Sequence, residues 1–253
     1  MSISTDPQNL IAFLLALVRA SAWVLVSPPF LSLPTPPILK AGIAASLALL
    51  ATPTLAVGHI PLSMAAFIGA VAVQVVMGFA LGLVTLTLFS AFEAAGAMSD
   101  LLGGIVLPPS LDPLSENQTP KVGELYQLVA VALLFASGGD LVVLHGFLFS
   151  FHSVGISLST LGPMSQVLTR DLASFFVAAI EIAAPVLVVL FAAQVVLALL
   201  SKAAPQVNVF LLGFPFQALL LLLVIAVSLR LLPSAVQAIL SRSVDDGLRA
   251  LGF

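Results

Sequence analysis

The sequence predicts an all-α, polytopic membrane protein, and three observations carry that prediction. Of 253 residues, 60% are hydrophobic and only 8% are charged, with a mean hydropathy of +1.22. Soluble globular domains carry about 25% charged residues, so most of this chain must fold in a solvent other than water. The apolar residues gather into segments near 10–26, 38–57, 62–98, 125–151, 172–200 and 207–232, against about 20 residues needed for a helix to span a bilayer. Proline, glycine and short polar clusters separate these six segments, and nothing marks off a soluble part, so 1–253 reads as a single membrane-embedded domain.

The first segment lacks the basic start of a signal peptide, since Asp6 is the only charged side chain before Arg19, and it is expected to stay in the mature protein. Pro28, Pro29, Pro34, Pro36 and Pro37 end it and predict an extended link to the second segment, because proline lacks a donor and biases its predecessor away from helix. Gly58, His59 and Pro61 part the second segment from the third. Gly138, Gly139 and Asp140 interrupt the fourth, so 125–151 is expected to be a hairpin of two short helices. Pro185 in the fifth should free the carbonyl of Glu181, and Pro215 in the sixth that of Leu211. Uneven lengths and internal prolines thus predict kinked or hairpin-forming helices whose loosened backbone is met by protein or water. Arg230, Arg242 and Arg249 crowd the C-terminal end, which the positive-inside rule assigns to the cytoplasm.

Polar side chains inside these helices are informative because an ionised group at bilayer depth costs about 3 kcal/mol on insertion scales. Gln74, Gly78, Gly82, Thr85, Phe89, Glu93, Gly96 and Asp100 recur at spacings of three and four, which lays small and polar groups along one helix face. Gly78 and Gly82 form a GxxxG pair suited to close backbone approach. Such a face either lines an aqueous path or forms a packing seam, and the seam is preferred. Glu181 either relays protons or binds cations, or it caps backbone loosened by Pro185, with the cap preferred.

Other function classes find little support. A net charge of −3 without a cluster of Lys and Arg argues against nucleic acid. The lack of cysteine removes disulfides and thiolate sites, and His59 and His145 stand without companions at metal spacing while His152, near a segment end, reads as interfacial, so no metal or cofactor is expected. No nucleophile elbow, HExxH or P-loop occurs, so no catalytic residue is assigned and an enzyme is not expected. The stretch from Asp100 to Glu124 is unusual: its first half, with Gly103, Gly104, Ile105, Val106, Leu107, Pro108, Pro109 and Leu111, is apolar, and it turns polar after Asp112 and Pro113. A loop longer than about 15 residues is uncommon and often functional. This one either packs into a concave surface or rests at the membrane interface.

Several stretches together resemble the family of the flagellar biosynthetic protein FliR and its injectisome counterparts (the SctT-like proteins), subunits of the type III export gate. Pro205-Gln206-Val207-Asn208-Val209-Phe210, followed by Gly213-Phe214-Pro215, is similar to that family's Pro-Gln-x-Asn-x-Phe-x-x-Gly-Phe-Pro signature. Arg19 with Ser27-Pro28-Pro29-Phe30, Pro34 and Lys40-Ala41-Gly42 resembles its first turn. Glu93-Ala94-Ala95-Gly96, Asp112-Pro113 and Phe151-His152 also fit, in one order along nearly the whole chain. The chain departs from the pattern at Ala97 to Asp100 and at Gly138-Gly139-Asp140, and the distance from Glu93 to Asp112 is longer than usual.

The resemblance implies a structural subunit of a helical hetero-oligomer in the bacterial inner membrane, at a flagellar basal body or injectisome base. Its partners there would be two smaller FliP-like and FliQ-like membrane proteins, an FlhB-like specificity switch and an FlhA-like export protein, with unfolded proteins as the exported substrates and lipid around. It further implies that helices of apparent spanning length sit buried among neighbouring subunits, and that the loop near 101–120 plugs the closed pore. The alternative is a proton- or ion-coupled secondary transporter using Glu93 and Glu181, which would be expected to show internal repeats; none is evident.

Overall fold

The computed structural model describes residues 7–31, 35–55, 63–104, 120–153, 161–206 and 208–239. Every regular element among them is helical: α1 (Pro7–Val26), α2 (Pro28–Leu31), α3 (Pro37–Leu55), α4 (Met64–Gly103), α5 (Lys121–Ala136), α6 (Gly139–Ser153), α7 (Leu161–Ala203) and α8 (Val209–Ser228), with α9 (Leu232–Ile239) after a 57° bend from α8. The spans Gln8–Val26, Pro37–Leu55, Met64–Gly103 and Leu172–Ala203 are long and apolar enough to cross a membrane, and α5 with α6 and α8 with α9 pass the same test as bent pairs. The chain is an all-α, polytopic membrane protein.

The helix limits follow from local chemistry. Pro7, Pro28 and Pro37 each stand at the first helical position, where a missing N–H is no loss and the fixed φ suits the helix. That accounts for one correction to the sequence reading: Pro28 and Pro29 do not begin an extended link but open the single turn of α2, in which the Ser27 carbonyl accepts from Phe30 N and Leu31 N at 3.0 and 3.1 Å. Ser63 starts α4, its carbonyl accepting from Phe67 N at 2.9 Å. Gly104 ends α4 and Gly138 divides α5 from α6, both at positive φ (71° and 70°), the left-handed cap that glycine takes without a Cβ clash. The expected break at Gly138 is therefore present, as a 79° bend between α5 and α6 and not as a hairpin. α7 runs unbroken through Pro185 and begins at Leu161, well before the apolar segment did. The stretch with Gly58, His59 and Pro61, and the C-terminal Arg242 and Arg249, lie outside the described residues.

Two compact units divide the chain, Met1–Leu88 with Phe135–Ala173 and Leu240–Phe253, and Phe89–Leu134 with Ser174–Ile239. In the first, α1 packs chiefly on α3 and α3 also meets α6. Its core is built largely of alanines (Ala12, Ala16, Ala20, Ala44, Ala48 and Ala51) around Trp23, which stacks on Phe147 at 4.6 Å between centroids. Small side chains let helix backbones approach closely, the usual source of packing energy where lipid removes the hydrophobic drive. The second unit buries Phe92, Tyr126, Leu134, Leu190 and Leu221. From Leu172 on, α7 keeps most of its surface outside the chain, with Phe176, Ile180, Val188, Phe191, Val196 and Leu199 all exposed.

Candidate functional site

Each unit holds one buried polar node. In the first, Arg19 lies wholly inside on α1. Its Nε donates to Gln74 Oε1 at 2.6 Å, and its Nη1 donates to the Ser150 carbonyl at 3.0 Å and to Ser150 Oγ at 3.3 Å. The guanidinium carbon stands 4.3 Å from the centre of the Phe151 ring. One side chain thereby joins α1, α4 and α6. Arginine suits this place because its planar fork of donors meets several acceptors at once and its weakly hydrated cation tolerates an aromatic face.

α4 reaches the node because Gly78 and Gly82 lack side chains. A Cβ at Gly78 would collide with the Arg19 carbonyl oxygen and lie 2.8 Å from Ala22 Cβ, and one at Gly82 would lie 2.8 Å from Val26 Cβ. The GxxxG pair is thus occupied by α1.

In the second unit the node is Asp100, also wholly buried. Its Oδ2 accepts from Val122 N at 2.8 Å and from Gly123 N at 3.3 Å, the opening residues of α5. Glycine again sets the approach: a Cβ at Gly96 would lie 2.6 Å from Gly123 Cα, and one at Gly123 would lie 2.9 Å from the Glu93 carbonyl. Close by, Gln194 Nε2 of α7 donates to the Leu102 carbonyl at 3.0 Å, and the hydroxyls of Tyr126 and Ser228 meet at 2.5 Å, linking α5 to α8. Gly103 faces Leu221 with no room for a Cβ.

The residues singled out in the sequence are therefore not brought to one place. Gln74, Gly78 and Gly82 serve the α1–α4 seam, while Gly96 and Asp100 serve the α4–α5 seam. Glu93 is half-buried, Glu181 and Pro185 are exposed on α7, and Thr85 Oγ1 donates to the Gly82 carbonyl at 2.8 Å within its own helix. In the signature stretch Pro205, Gln206, Phe214 and Pro215 are exposed, Gly213 is buried against Leu197, and Phe210 falls in the first turn of α8. Asn208 caps α8, its Oδ1 accepting from Leu211 N at 3.2 Å. Of the residues assigned to the loop, Gly103 is instead the last residue of α4 and Gly104 its left-handed cap; Ile105, Val106, Leu107, Pro108, Pro109, Leu111, Asp112 and Pro113 lie outside the described residues. His145 and His152 are exposed, and among the described residues no group of three or more His, Cys, Asp or Glu is placed to hold a metal ion.

Sequence reasoning missed the acceptors of Arg19 on α6, the role of Gln194 and the Tyr126–Ser228 pair. Arg19 itself was detectable as a cation within an apolar segment, where a partner is always owed. Neither node offers a nucleophile paired with a base; what both do is hold helix ends and crossings in register.

The family described as Bacterial export proteins, family 1 matches residues 10–243. The flagellar biosynthetic protein FliR of Bacillus subtilis is 23% identical over 244 residues, covering 92% of each chain. FliR of Escherichia coli is 25% identical over 200 residues, 79% of this chain and 77% of that protein. The Yop proteins translocation protein T of Yersinia pestis is 27% identical over 208 residues, 80% of each.

Proposed function

The chain belongs to the bacterial export proteins, family 1, and from that premise we propose that it is a structural subunit of a type III protein-export gate. The observation that carries this reading is that relatives named for flagellar biosynthesis and for Yop translocation align with four-fifths or more of the chain. In this role it forms part of an inner-membrane channel for unfolded proteins and performs no chemical step of its own. Its neighbours are the FliP-like and FliQ-like subunits, with FlhB-like and FlhA-like proteins at the base. The broad apolar face of α7 and the exposed signature Pro205-Gln206-Asn208 fit a chain completed by other subunits. Arg230, exposed after α8, together with Arg242 and Arg249, supports a cytoplasmic C-terminus.

The loop that follows α4 and its cap Gly104, through Pro113, supplies the closure of the resting pore. Its apolar first half leaves water by packing into the lumen at about 25 cal/mol per Å² buried, an energy a passing substrate chain can compete away. Deleting the gene should leave export substrates inside the cell at normal levels, and restoring it should return them to the medium. Unimpaired secretion in the deletion strain would overturn the reading.

A further inference from the structure

The ends of the central loop are held by side chains that come from elsewhere in the chain. A helix leaves its first N–H groups and last carbonyls unpaired, and a residue at the N-cap usually supplies the missing acceptor. At the start of α5 that position is Pro120, whose carbonyl begins the helix by accepting from Glu124 N at 3.0 Å but whose side chain has no oxygen. The acceptor arrives instead from Asp100, across 22 residues of chain, and takes both Val122 N and Gly123 N. At the other end of the loop, the Leu102 carbonyl near the end of α4 is met by Gln194 of α7, and Gly104 turns the chain away at φ 71°. The Gly96–Gly123 contact, one turn before Asp100 on α4, brings the two helices near enough for the carboxylate to reach. An anion at a helix N-terminus also meets the favourable end of its dipole.

We infer that Asp100 is a positioning residue which, with Gln194 and Gly103, forms a collar at the junction of α4, α5 and α7 and fixes both ends of the central loop. The end groups named here are satisfied from α4 and α7, so both helix ends stay hydrogen-bonded independently of the chain between them. The collar rests on the closure reading of the loop for its consequence, though not for its geometry. Within it the carboxylate accepts two hydrogen bonds, a task that an asparagine oxygen performs about as well.

The test uses the whole assembled gate and two readouts, amide exchange at Val122 and Gly123 and ion leak through the membrane. Asp100→Ala should speed exchange at both amides about tenfold, equivalent to about 1.4 kcal/mol, and should leak; Asp100→Asn should stay within about threefold of the parent and remain tight. Should the alanine variant fail to assemble, Asp100→Ser, which is too short to reach but keeps a polar side chain, is judged on the same criteria. Unchanged exchange in the shortened variant, or an asparagine variant that behaves like alanine, overturns the collar. Deletion of residues 104–112 separates the two ideas. If that deletion does not leak, the closure reading fails and the exchange data alone decide the collar; if it leaks while Asp100→Ala exchanges fast yet stays tight, the positioning role fails.

Discussion

The Arg19 node of the first unit and the Asp100 node of the second place opposite charges at opposite kinds of helix end. Arg19 gives its donors to Ser150, in the last turn of α6, where carbonyls lack intrahelical partners; Asp100 takes the unpaired N–H groups at the start of α5. Each charge thus sits at the dipole end that favours it. They differ in reach. The long guanidinium spans three helices and leans on Phe151, whereas the short carboxylate works only because Gly96 and Gly123 let two backbones touch. Both nodes rest on a glycine seam, but Gly96 and Gly123 face one another and a Cβ at Gly96 would meet only backbone, whereas one at Gly82 would meet the Val26 side chain, so the seam of the second unit should be the more brittle of the two.

The largest effect should come from filling that seam. Gly96→Val must displace the backbone of Val122 and Gly123, and overpacking of this kind costs about 3 kcal/mol. We expect it to abolish recovery of assembled complex. Gly213→Ala, whose new Cβ would stand 3.4 Å from the movable Leu197 side chain, should be tolerated. Equal yields of the two variants, measured by detergent extraction and gel filtration, would remove the argument for a brittle seam.

The first unit gives a sharper contrast. Arg19→Lys keeps a buried cation but replaces the fork with a compact, strongly hydrated ammonium that cannot meet Gln74 and Ser150 together. Arg19→Met removes the charge and keeps most of the volume. Because an under-bonded buried charge costs more than a well-packed apolar replacement, Lys should lower stability by about 2 kcal/mol more than Met. The dissociation temperature of the complex reads this order directly, and the reverse order would show that charge at Arg19 matters beyond its hydrogen bonds. Smaller still are single hydrogen bonds: Asn208→Leu removes the α8 cap and Ser228→Ala the Tyr126 partner, each costing about 1 kcal/mol. Asn208→Leu should reduce the amount of complex in proportion to the export it loses. Normal assembly with lost export would instead assign Asn208 to substrate contact.

Hydropathy and proline placement made most of the helices legible, because both act locally. The break at Gly138 was readable from two glycines and an aspartate, and α3 from the apolar run 38–57. The start of α7 was not: residues 161–171 include Ser165, Gln166, Thr169, Arg170 and Asp171, and polarity hid a helix whose formation does not need an apolar face. The small-residue face of α4 was visible as a period but not as two separate seams, since a repeat along one helix does not say which neighbour meets each part. The Asp100 cap escaped for a further reason. Its partner lies 22 residues away beyond an irregular stretch, and no spacing rule reaches that far.

All of these expectations presume a chain completed by other subunits. The most direct test is to extract a tagged copy in mild detergent from cells carrying the full set of export genes, and separately from cells carrying this gene alone, and to identify by mass spectrometry what comes with it. A stable complex with the two smaller gate proteins is expected in the first case and aggregated or degraded chain in the second. A folded, monodisperse monomer obtained without partners would contradict it.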